Sequence, residues 1–500
     1  MATQFSTQLN QQHPPQGKYK FIVYQICIIA ALGGLLFGLD IGFIANSLDA
    51  IKTHYGLSLQ QGEHYAAVLA YGGVVGALLS GIFARFLGRK KSLIGSGLLF
   101  TLASIISATL PPLAVLEFCR FMIGFAVGIA SFVVPLYLSE TAPKRIRGAM
   151  GTLFQLLITI GIFLVAVSNV SIIHIFIKPT VTIPLMFLVI SAFAVIMFIG
   201  GLTLPESPRW LALRGRHQDA KAILTQLRNT QEEVEEEYQE IENNLNTHTH
   251  NLSSLSKGYF WKILILCVFI QCFQQLVGIN LMIYYSPTIF GYAGMTGIIA
   301  MLLVPTVNML FTFPALKWVE KWGRKKLLYM GSATMFIAMI AAGLSFYTIG
   351  QGSPSNLEKG ILFISVIVYI FGFAASWGPV AWLLCSELFP QEGREIGITV
   401  STMVNWTFAG LVMSTSLTIM HTFGNSSIFF IFATLCLLSL LFVKTFVPET
   451  KNIMLEKIEA DLKAGIPLNQ LGQGSSSTYN QHTNVLQSST KPTTTNSTNT

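Results

Sequence analysis

Long apolar runs, separated by shorter polar stretches, dominate the chain. Twelve runs can be counted, and each is close to the roughly 20 residues that a helix needs to cross the hydrocarbon core of a bilayer. They cover residues 21–45, 65–84, 92–111, 114–137, 148–168, 183–204, 259–287, 296–318, 327–349, 360–384, 395–420 and 427–447. The pattern predicts an all-α membrane protein with twelve transmembrane helices, of which the seventh carries polar residues and is the least regular.

Two polar stretches are long enough to form segments of their own. Residues 205–257 join the sixth and seventh runs, and Ser207-Pro208 near their start is a capping residue followed by proline, which favours a helix start. Apolar residues at helical spacing follow, so this linker is predicted to form short cytoplasmic helices. After residue 467 the chain is rich in Ser, Thr, Asn and Gln, and it is predicted to be disordered because it has too few apolar residues to pack.

Basic residues set the predicted orientation. Lys and Arg cluster in the loops after the second, fourth and eighth runs, while the alternate loops carry few. The positive-inside rule therefore places both termini in the cytoplasm, with the chain spanning the cell (inner) membrane many times. The predicted parts are a cytoplasmic tail 1–20, a six-helix half 21–204, a cytoplasmic helical linker 205–257, a second six-helix half 258–447 and a cytoplasmic tail 448–500.

Composition excludes several other classes of protein. Only 11% of the residues are charged, against about 25% in soluble domains, and the net charge of +8 is explained by the loop cations without any nucleic acid. The six cysteines lie in or at the edges of apolar runs and are interpreted as small buried hydrophobic residues. Because no metal-ligand cluster, nucleophile–base set or phosphate loop is visible, neither a metal nor another cofactor is predicted, and a membrane enzyme is disfavoured.

Three motifs at the ends of apolar runs occur twice, about 240 residues apart. The pairs are Gly88-Arg89-Lys90-Lys91 with Gly323-Arg324-Lys325-Lys326, Ser139-Glu140…Arg147 with Ser386-Glu387…Arg394, and Pro205-Glu206 with Pro448-Glu449. Matched motifs at matched positions indicate two pseudo-repeated six-helix halves of the same topology. Parallel repeats of this kind place a substrate near the membrane midplane, between the halves, with alternating access by rocking.

The repeated acids and bases have a mechanical interpretation. At the cytoplasmic helix ends they can pair across neighbouring helices, hold the inside shut and separate when it opens. The alternative is that the basic residues only set the topology. Proposed pairs are Glu140 with Arg147, Glu387 with Arg394, and Arg89 or Arg324 with nearby acids. The predicted gate residues on this side are Arg89, Glu140, Arg147, Glu206, Glu320, Arg324, Glu387, Arg394 and Glu449.

One acid and one base lie inside apolar runs. Asp40 is the only charge in the first run, and Arg120 is the only base inside the fourth. An intramembrane carboxylate costs about 2.5 kcal/mol or more, so it marks a functional site with a partner by default. The two residues are predicted to form a proton or ion relay. A static ion pair between two helices is the alternative, and Glu117, one turn before Arg120, is a competing partner.

Four further motifs carry a family resemblance. They are Pro205-Glu206-Ser207-Pro208-Arg209-Trp210, Gln274-Gln275-Leu276-Val277-Gly278-Ile279-Asn280, Gly378-Pro379-Val380-Ala381-Trp382 and Pro448-Glu449-Thr450-Lys451. Over residues 20–455 the chain resembles the sugar porter family of the major facilitator superfamily, which includes bacterial proton-coupled xylose, galactose and arabinose symporters and the glucose facilitators. The resemblance implies the major facilitator fold and a monosaccharide substrate. Neither an obligate protein partner nor a cofactor apart from the coupling proton is predicted, and the chain is expected to be a monomer in membrane lipid.

The resemblance also implies which residues contact the sugar. Amide side chains offer both donors and acceptors to sugar hydroxyls, although a lone intramembrane amide often only joins helices. Tyr284 and Tyr285 match a pair that closes the outside, and Tyr284 is also predicted to contact the sugar. The side chains that match family positions for substrate are the amides Gln155, Gln274, Gln275, Asn280, Asn308 and Asn405 and the aromatic residues Phe37, Trp382 and Trp406. Breaks are expected near Gly278 and at Gly378-Pro379, since interrupted helices are typical of midplane sites.

The acid at position 40 bears on the mode of transport. Proton-driven members of the family have an acid and an arginine at the positions of Asp40 and Arg120, whereas passive facilitators typically lack the acid. The sequence therefore favours a proton symporter over a uniporter. A non-transporting sugar sensor is a third possibility, but residues 467–500 offer only low complexity for partner binding. One departure from the family pattern is Arg85, which replaces the usual acid of the loop between helices 2 and 3, so the gate of the first half is expected to be weaker or differently connected.

Overall fold

The computed structural model describes residues 20–143, 146–247, 258–351, 355–389, 393–451, 453 and 455–471. The regular structure in these residues consists of eighteen α-helices and one 3-10 turn, and twelve segments are long and apolar enough to cross a membrane. The prediction of an all-α membrane protein with twelve spans is confirmed. Most of the two tails predicted at 1–20 and beyond 467 lies outside the described residues.

The first half and the linker contain nine helices. They are α1 Phe21–Tyr55, α2 Leu59–Phe86, α3 Arg89–Ala108, α4 Leu113–Thr141, α5 Arg147–Ile175 and α6 Pro179–Thr203, followed by the linker helices α7 Pro208–Leu213, α8 His217–Leu227 and α9 Gln231–Thr247. The linker helices lie beside the ends of α2 and α4, since Trp210 Nε1 donates to the Arg85 carbonyl and Arg228 donates to the Thr141 carbonyl. We call this side of the bundle the linker end, and the opposite side, with the turn between α1 and α2, the far end.

The second half contains the remaining helices. They are α10 Gly258–Leu276, α11 Ile279–Tyr292, α12 Ile298–Trp322, α13 Arg324–Ile349, α14 Asn356–Ala374, α15 Trp377–Leu388, α16 Arg394–Phe423, α17 Ser427–Phe446 and α18 Leu455–Lys463, with a 3-10 turn at Leu468–Gln470. Two membrane spans, Gly258–Tyr292 and Asn356–Leu388, each consist of two helices. Both interruptions lie in this half.

The two interruptions have different local causes. Between α10 and α11, Gly278 has a φ of 98°, a left-handed conformation that glycine adopts without strain, and the predicted break here is confirmed. Between α14 and α15 the helix ends at Ala374 and restarts at Trp377, slightly before the predicted Gly378-Pro379. Proline lacks an N–H and is tolerated in the first turn of a helix, so Pro379 lies in the first turn of α15 and the break precedes it.

The first helix is longer than its apolar run. The sequence pattern ends at residue 45, whereas α1 continues to Tyr55 and stops at Gly56, which has a φ of 66°. Ser58 then starts α2 with a reciprocal capping box to Gln61. Polar residues such as Asp49 lie on this extension, with a side chain 71% exposed, so the helix extends past its apolar run at the far end.

Small residues allow α1 and α5 to pack closely. A Cβ atom at Gly38 would lie 1.9 Å from the Ile158 carbonyl oxygen, and Gly34 and Gly42, one turn to either side, are also very close to carbonyl oxygens of α5. Such small-residue stripes bring membrane helices into backbone contact. The packing fixes α5, which carries Gln155, against α1, which carries Phe37 and Asp40.

Candidate functional site

A cavity of about 720 Å³ lies between the two halves. Its walls come from α1 and α5 of the first half and from α10, α11, α12, α14, α15 and α16 of the second. Every substrate-contacting residue expected from the sequence lines it: Phe37, Gln155, Gln274, Gln275, Asn280, Tyr284, Asn308, Trp382, Asn405 and Trp406. Residues that are up to 369 positions apart in the chain are therefore brought to one space.

The amides of the second half hold one another in place. Asn405 Nδ2 donates to Gln274 Oε1 at 2.6 Å and to Gln271 Oε1 at 2.7 Å, and its Oδ1 accepts from Gln275 Nε2 at 2.9 Å. Asn280 Nδ2, beyond the break at Gly278, donates to Gln275 Oε1 at 2.6 Å. These bonds hold the amide side chains in fixed orientations around the cavity, and such preorganisation reduces the entropy lost on binding.

Three polar residues at this site were not expected from the sequence. Gln271 is fully buried behind Asn405 and supports the network without lining the cavity. Thr159 and Thr312 do line the cavity, each one helical turn beyond a predicted amide, Gln155 and Asn308 respectively. Their position four residues after those amides is a signal that could have identified them, because residues i and i+4 share a helix face.

Aromatic side chains from both halves meet in the cavity wall. The rings of Phe37 and Trp406 are 5.0 Å apart between centroids and inclined at 35°. Trp406 is packed tightly on its other side, since a Cβ atom at Gly73 would lie 2.5 Å from its ring. Its indole Nε1 is buried and has no hydrogen-bond partner among the described residues. Trp382 from α15 contributes a further ring to the wall.

The predicted tyrosine pair occupies two different environments. Tyr284 lines the cavity, while Tyr285 is fully buried and its hydroxyl donates to the Met413 carbonyl of α16 at 2.6 Å. Both residues lie on α11, immediately beyond the break at Gly278 toward the far end. They are thus placed between the cavity and the far end of the bundle.

The acid and the base of the apolar runs form an ion pair. Arg120 Nη1 donates to Asp40 Oδ1 at 3.1 Å, and each residue is 1% exposed. Arg120 Nε also donates to the Tyr65 carbonyl at 3.2 Å, and the guanidinium lies over the Tyr65 ring at 5.3 Å. The structure therefore joins Arg120 to Asp40, while Glu117 is half-buried and has no hydrogen bond or ion pair with a described residue.

This ion pair is directly behind the cavity wall. Phe37 and Ile41, which flank Asp40 on α1, both line the cavity. Asp40 Oδ2 and Arg120 Nη2 are buried without partners among the described residues. The pair is therefore joined by one hydrogen bond rather than by the two parallel bonds that an arginine and a carboxylate can form.

At the linker end, Arg89 is the centre of a charged network in the first half. Its Nη2 and Nε donate to both carboxylate oxygens of Glu140, at 2.8 and 2.9 Å, and the two side chains are each 4% exposed. The backbone N–H groups of Arg89 and Lys90 donate to Glu206, which therefore caps the start of α3. Arg89 also lies 3.8 Å from Glu395 of α16, a contact between the halves.

The second half repeats this arrangement. Arg324 donates to both carboxylate oxygens of Glu387, at 2.6 and 3.1 Å, and its backbone N–H donates to Glu449 at 2.9 Å. The same motifs thus make the same contacts in both halves. Glu320 is exposed and has no hydrogen bond or ion pair within the described residues.

Two of the proposed gate pairs remain predictions. The side chain of Arg147 lies outside the described atoms, and Arg394 is the first residue of α16. The structure does show what occupies the region of Arg85, where the family acid is missing. Arg214 Nη2 donates to the carbonyls of Arg85 and Phe86 at 3.0 and 3.1 Å, so a linker cation satisfies the end of α2.

Comparisons with known proteins agree with this architecture. Residues 26–462 match the family model described as "Sugar (and other) transporter". The chain is 39% identical over 458 residues to the galactose-proton symporter of Escherichia coli K12, covering 91% of this chain and 97% of the relative. It is 36% identical over 456 residues to the arabinose-proton symporter of the same strain, covering 89% and 95%.

Solved structures give the same result. The proton:xylose symporter XylE bound to 6-bromo-6-deoxy-D-glucose superposes with a TM-score of 0.75 at 31% identity, covering 88% of this chain and 98% of that chain. An inward-open form of XylE from E. coli superposes with a TM-score of 0.74 at 29% identity, covering 88% and 99%. The chain therefore belongs to the sugar transporter family of the major facilitator superfamily, and it is a transporter rather than an enzyme.

Proposed function

We propose that this protein is a proton:monosaccharide symporter that carries a hexose or pentose by alternating access. The observation that carries the proposal is one cavity between the halves, lined by amides and aromatic rings, with a buried acid–base pair behind its wall. Relatives named as galactose-proton and arabinose-proton symporters support the same substrate class.

The cavity supports a sugar as the substrate. Amide side chains can donate to and accept from sugar hydroxyls, and the rings of Phe37, Trp382 and Trp406 offer apolar faces to the sugar's CH groups. Because Gln155 belongs to the first half and the other five amides to the second, a bound sugar would contact both halves. Closure around the substrate then depends on the approach of the halves, which couples binding to the rocking motion.

Asp40 and Arg120 are proposed as the proton-coupling pair. Burial and a neighbouring guanidinium have opposite effects on the proton affinity of a carboxyl group, so a change in their separation changes that affinity. Protonation of Asp40 from the outside releases it from Arg120 and favours sugar binding through the adjacent Phe37 and Ile41. Loss of the proton to the cytoplasm restores the pair and resets the cycle.

The orientation of the bundle gives the gates their roles. The clusters of Lys and Arg support a cytoplasmic linker end and an outer far end, with both termini in the cytoplasm and the chain in the cell (inner) membrane. The Arg89–Glu140–Glu206 and Arg324–Glu387–Glu449 networks then form the proposed inner gate. Tyr284 and Tyr285 close the outer side of the cavity. The chain is proposed to work as a monomer in lipid, with the proton as coupling ion and no cofactor.

The proposal is tested by uptake into proteoliposomes of the full-length protein. Labelled glucose, galactose, xylose and arabinose are each offered with and without an inward proton gradient, to the wild type, to Asp40→Asn and to Asp49→Asn. The last variant is a matched control, because Asp49 lies on the same helix with a side chain 71% exposed. We expect accumulation above equilibrium only with the gradient, loss of accumulation in Asp40→Asn with sugar exchange retained, and no change in Asp49→Asn.

Other outcomes assign other functions. If the sugar only equilibrates across the membrane, to the same extent with and without the proton gradient, the protein is a uniporter. The Asp40–Arg120 pair is then structural. Saturable binding of a sugar without transport of any sugar identifies a sensor. Either result rejects the symport mechanism.

A further inference from the structure

Another buried carboxylate, Glu63, does not line the substrate cavity. Glu63 lies near the start of α2, at the far end of the first half, and is 1% exposed. Its Oε1 accepts from the backbone N–H of Leu417 at 2.5 Å and from that of Thr418 at 3.1 Å. Its Oε2 accepts from the Thr418 N–H at 3.2 Å and from the Thr418 hydroxyl. All of these donors belong to α16, in the opposite half.

Glu63 accepts hydrogen bonds from backbone N–H groups that lie within α16 and not at its start. In a regular α-helix, the N–H of Leu417 would donate to the carbonyl of Met413, four residues earlier. Here that carbonyl accepts from the Tyr285 hydroxyl, while that N–H donates to Glu63. Two other helices, one from each half, therefore bind the two groups of a single helical hydrogen bond. Both contacts add to a helix that is continuous from Arg394 to Phe423.

The chemistry of the contact suits a carboxylate. Every partner of Glu63 is a donor, and an ionised carboxylate is acceptor-only, so all four contacts are satisfied together. In a glutamine at position 63, an NH₂ group would replace one of the two carboxylate oxygens. That group would face a backbone N–H from which it cannot accept a hydrogen bond. Bonds from N–H groups to an ionised acceptor are stronger than neutral ones, and a charge taken out of water without them would be costly.

We infer that Glu63 is an outer latch: a positioning residue that holds the outer ends of the two halves together through α16 and is released when the outside opens. The contact exists only while the outer ends of α2 and α16 are adjacent, so outward opening must break it and hydrate the carboxylate. The inference rests on the alternating access of the proposed function. It adds that Tyr285 and Glu63 close the outer side together, acting on the same turn of α16.

The test measures the separation of the outer helix ends directly. Cysteines are introduced at Gln60 and Thr422, exposed positions at the outer ends of α2 and α16, in full-length protein carrying Cys272→Ser, since Cys272 is the cysteine that is not buried. Electron–electron distances between nitroxide labels are recorded for otherwise wild-type protein, Glu63→Gln and Glu117→Gln. Glu117 is a matched control, because it lies at the same end of the same half and has no described partner.

We expect a short-distance population in otherwise wild-type protein and in Glu117→Gln, and loss of most of it in Glu63→Gln. A loss could also follow from misfolding, so Thr418→Val removes one partner from the other side and should reduce the same population to a lesser extent. Glu63→Asp keeps the charge and should restore part of it. An unchanged distance distribution in both Glu63→Gln and Thr418→Val overturns the latch. Because this measurement needs no transported sugar, failure of the proposed symport leaves it interpretable.

Discussion

Asp40 and Arg120 share a single hydrogen bond of 3.1 Å, and each retains a polar atom that no described residue binds. Arginine can hold a carboxylate with two parallel bonds, and at the linker end Arg89 holds Glu140 in that way. In the membrane-embedded pair, Arg120 Nε donates to the Tyr65 carbonyl instead of to Asp40. A pair with one contact is easier to separate, which suits a residue that must exchange a proton during each cycle.

The first prediction concerns the energetic balance of this pair. Arg120→Gln leaves a buried carboxylate without its counter-charge and should destabilise the protein by about 3 kcal/mol or more. Adding Asp40→Asn to Arg120→Gln removes the orphaned charge and should recover most of that loss. The measurement is the midpoint of thermal unfolding of purified protein in detergent.

Arg216→Gln is the control for the removal of an arginine. Arg216 pairs with Asp219 at 2.7 Å, but both side chains are more than half exposed, at 59% and 53%. Exposed pairs contribute at most about 1 kcal/mol, so this variant should unfold close to the wild-type midpoint. A double variant no more stable than Arg120→Gln would show that the two residues do not stabilise each other.

The second prediction concerns the amide network around Asn405. Asn405→Ala removes the partner of three glutamines at once, and an unpaired buried polar group costs about 1–3 kcal/mol. Sugar affinity should fall by about tenfold or more, since 1.4 kcal/mol corresponds to a factor of ten in Kd. Quenching of tryptophan fluorescence by sugar is a suitable readout, because Trp382 and Trp406 line the cavity.

Asn169→Ala is the matched control for Asn405→Ala. Asn169 is also a fully buried intramembrane amide, and it donates to the Phe43 carbonyl at 3.4 Å, but it does not line the cavity. Its loss should lower stability while leaving Kd unchanged. Equal effects of the two variants on Kd would mean that the network acts only through general stability.

The cavity could be predicted from the sequence because its residues conflict with their surroundings. An amide in an apolar run is conspicuous, and the family motifs gave each one a position. Glu63 was not conspicuous. It lies near the polar start of α2, where a carboxylate is normally solvated, and its partners are about 350 residues away in the other half. Burial that arises only from packing between the halves leaves no signal in local sequence.

Helix ends illustrate the same limit. Polar residues after position 45 hide the continuation of α1 to Tyr55, because a helix that extends beyond the bilayer no longer needs apolar side chains. The break before Trp377 lies slightly earlier than the sequence predicts, since a proline marks a break without showing which preceding residue ends the helix. In contrast, the break predicted near Gly278 is confirmed, and glycine allows the left-handed backbone conformation that the structure has there.

The third prediction concerns the contact between α1 and α5. Gly38→Ala would place a methyl group 1.9 Å from the Ile158 carbonyl oxygen, where only a shift of the backbone could relieve the clash. Overpacking of this kind typically costs about 1–3 kcal/mol. Because α1 and α5 carry Phe37 and Gln155, both stability and sugar affinity should fall. Thermal unfolding and sugar titration of the same sample separate the two effects.

Gly95→Ala is the control for the added methyl group. Gly95 lies in α3, and nothing lies within 4 Å of the Cβ that the substitution adds. Alanine favours the helix by about 0.8–1.0 kcal/mol relative to glycine, so this variant should be as stable as the wild type or more stable. Similar behaviour of the two variants would show that the close approach of α1 and α5 is not important.

The last prediction compares two equivalent ion pairs at the linker end, one in each half, so that each pair serves as the control for the other. Arg89–Glu140 and Arg324–Glu387 occupy equivalent positions, but the side chains of the first pair are 4% and 4% exposed and those of the second 13% and 24%. Removing one partner of a buried pair costs about 3–5 kcal/mol, whereas more exposed pairs contribute much less. Arg89→Gln should therefore lower the midpoint of thermal unfolding more than Arg324→Gln does.

The contact between Arg89 and Glu395 can be tested separately. Arg89 reaches Glu395 in the other half at 3.8 Å, so Arg89→Gln also weakens a contact that joins the halves at the linker end. Glu395→Gln, which removes only that contact, should cost little stability because its side chain is 62% exposed, yet it should favour opening of the linker end. Labels on the linker ends of α3 and α16 would report that opening as longer distances. If Glu395→Gln leaves those distances unchanged, Arg89 acts within its own half, and the inner gate of the first half depends on Glu140 and Glu206 alone.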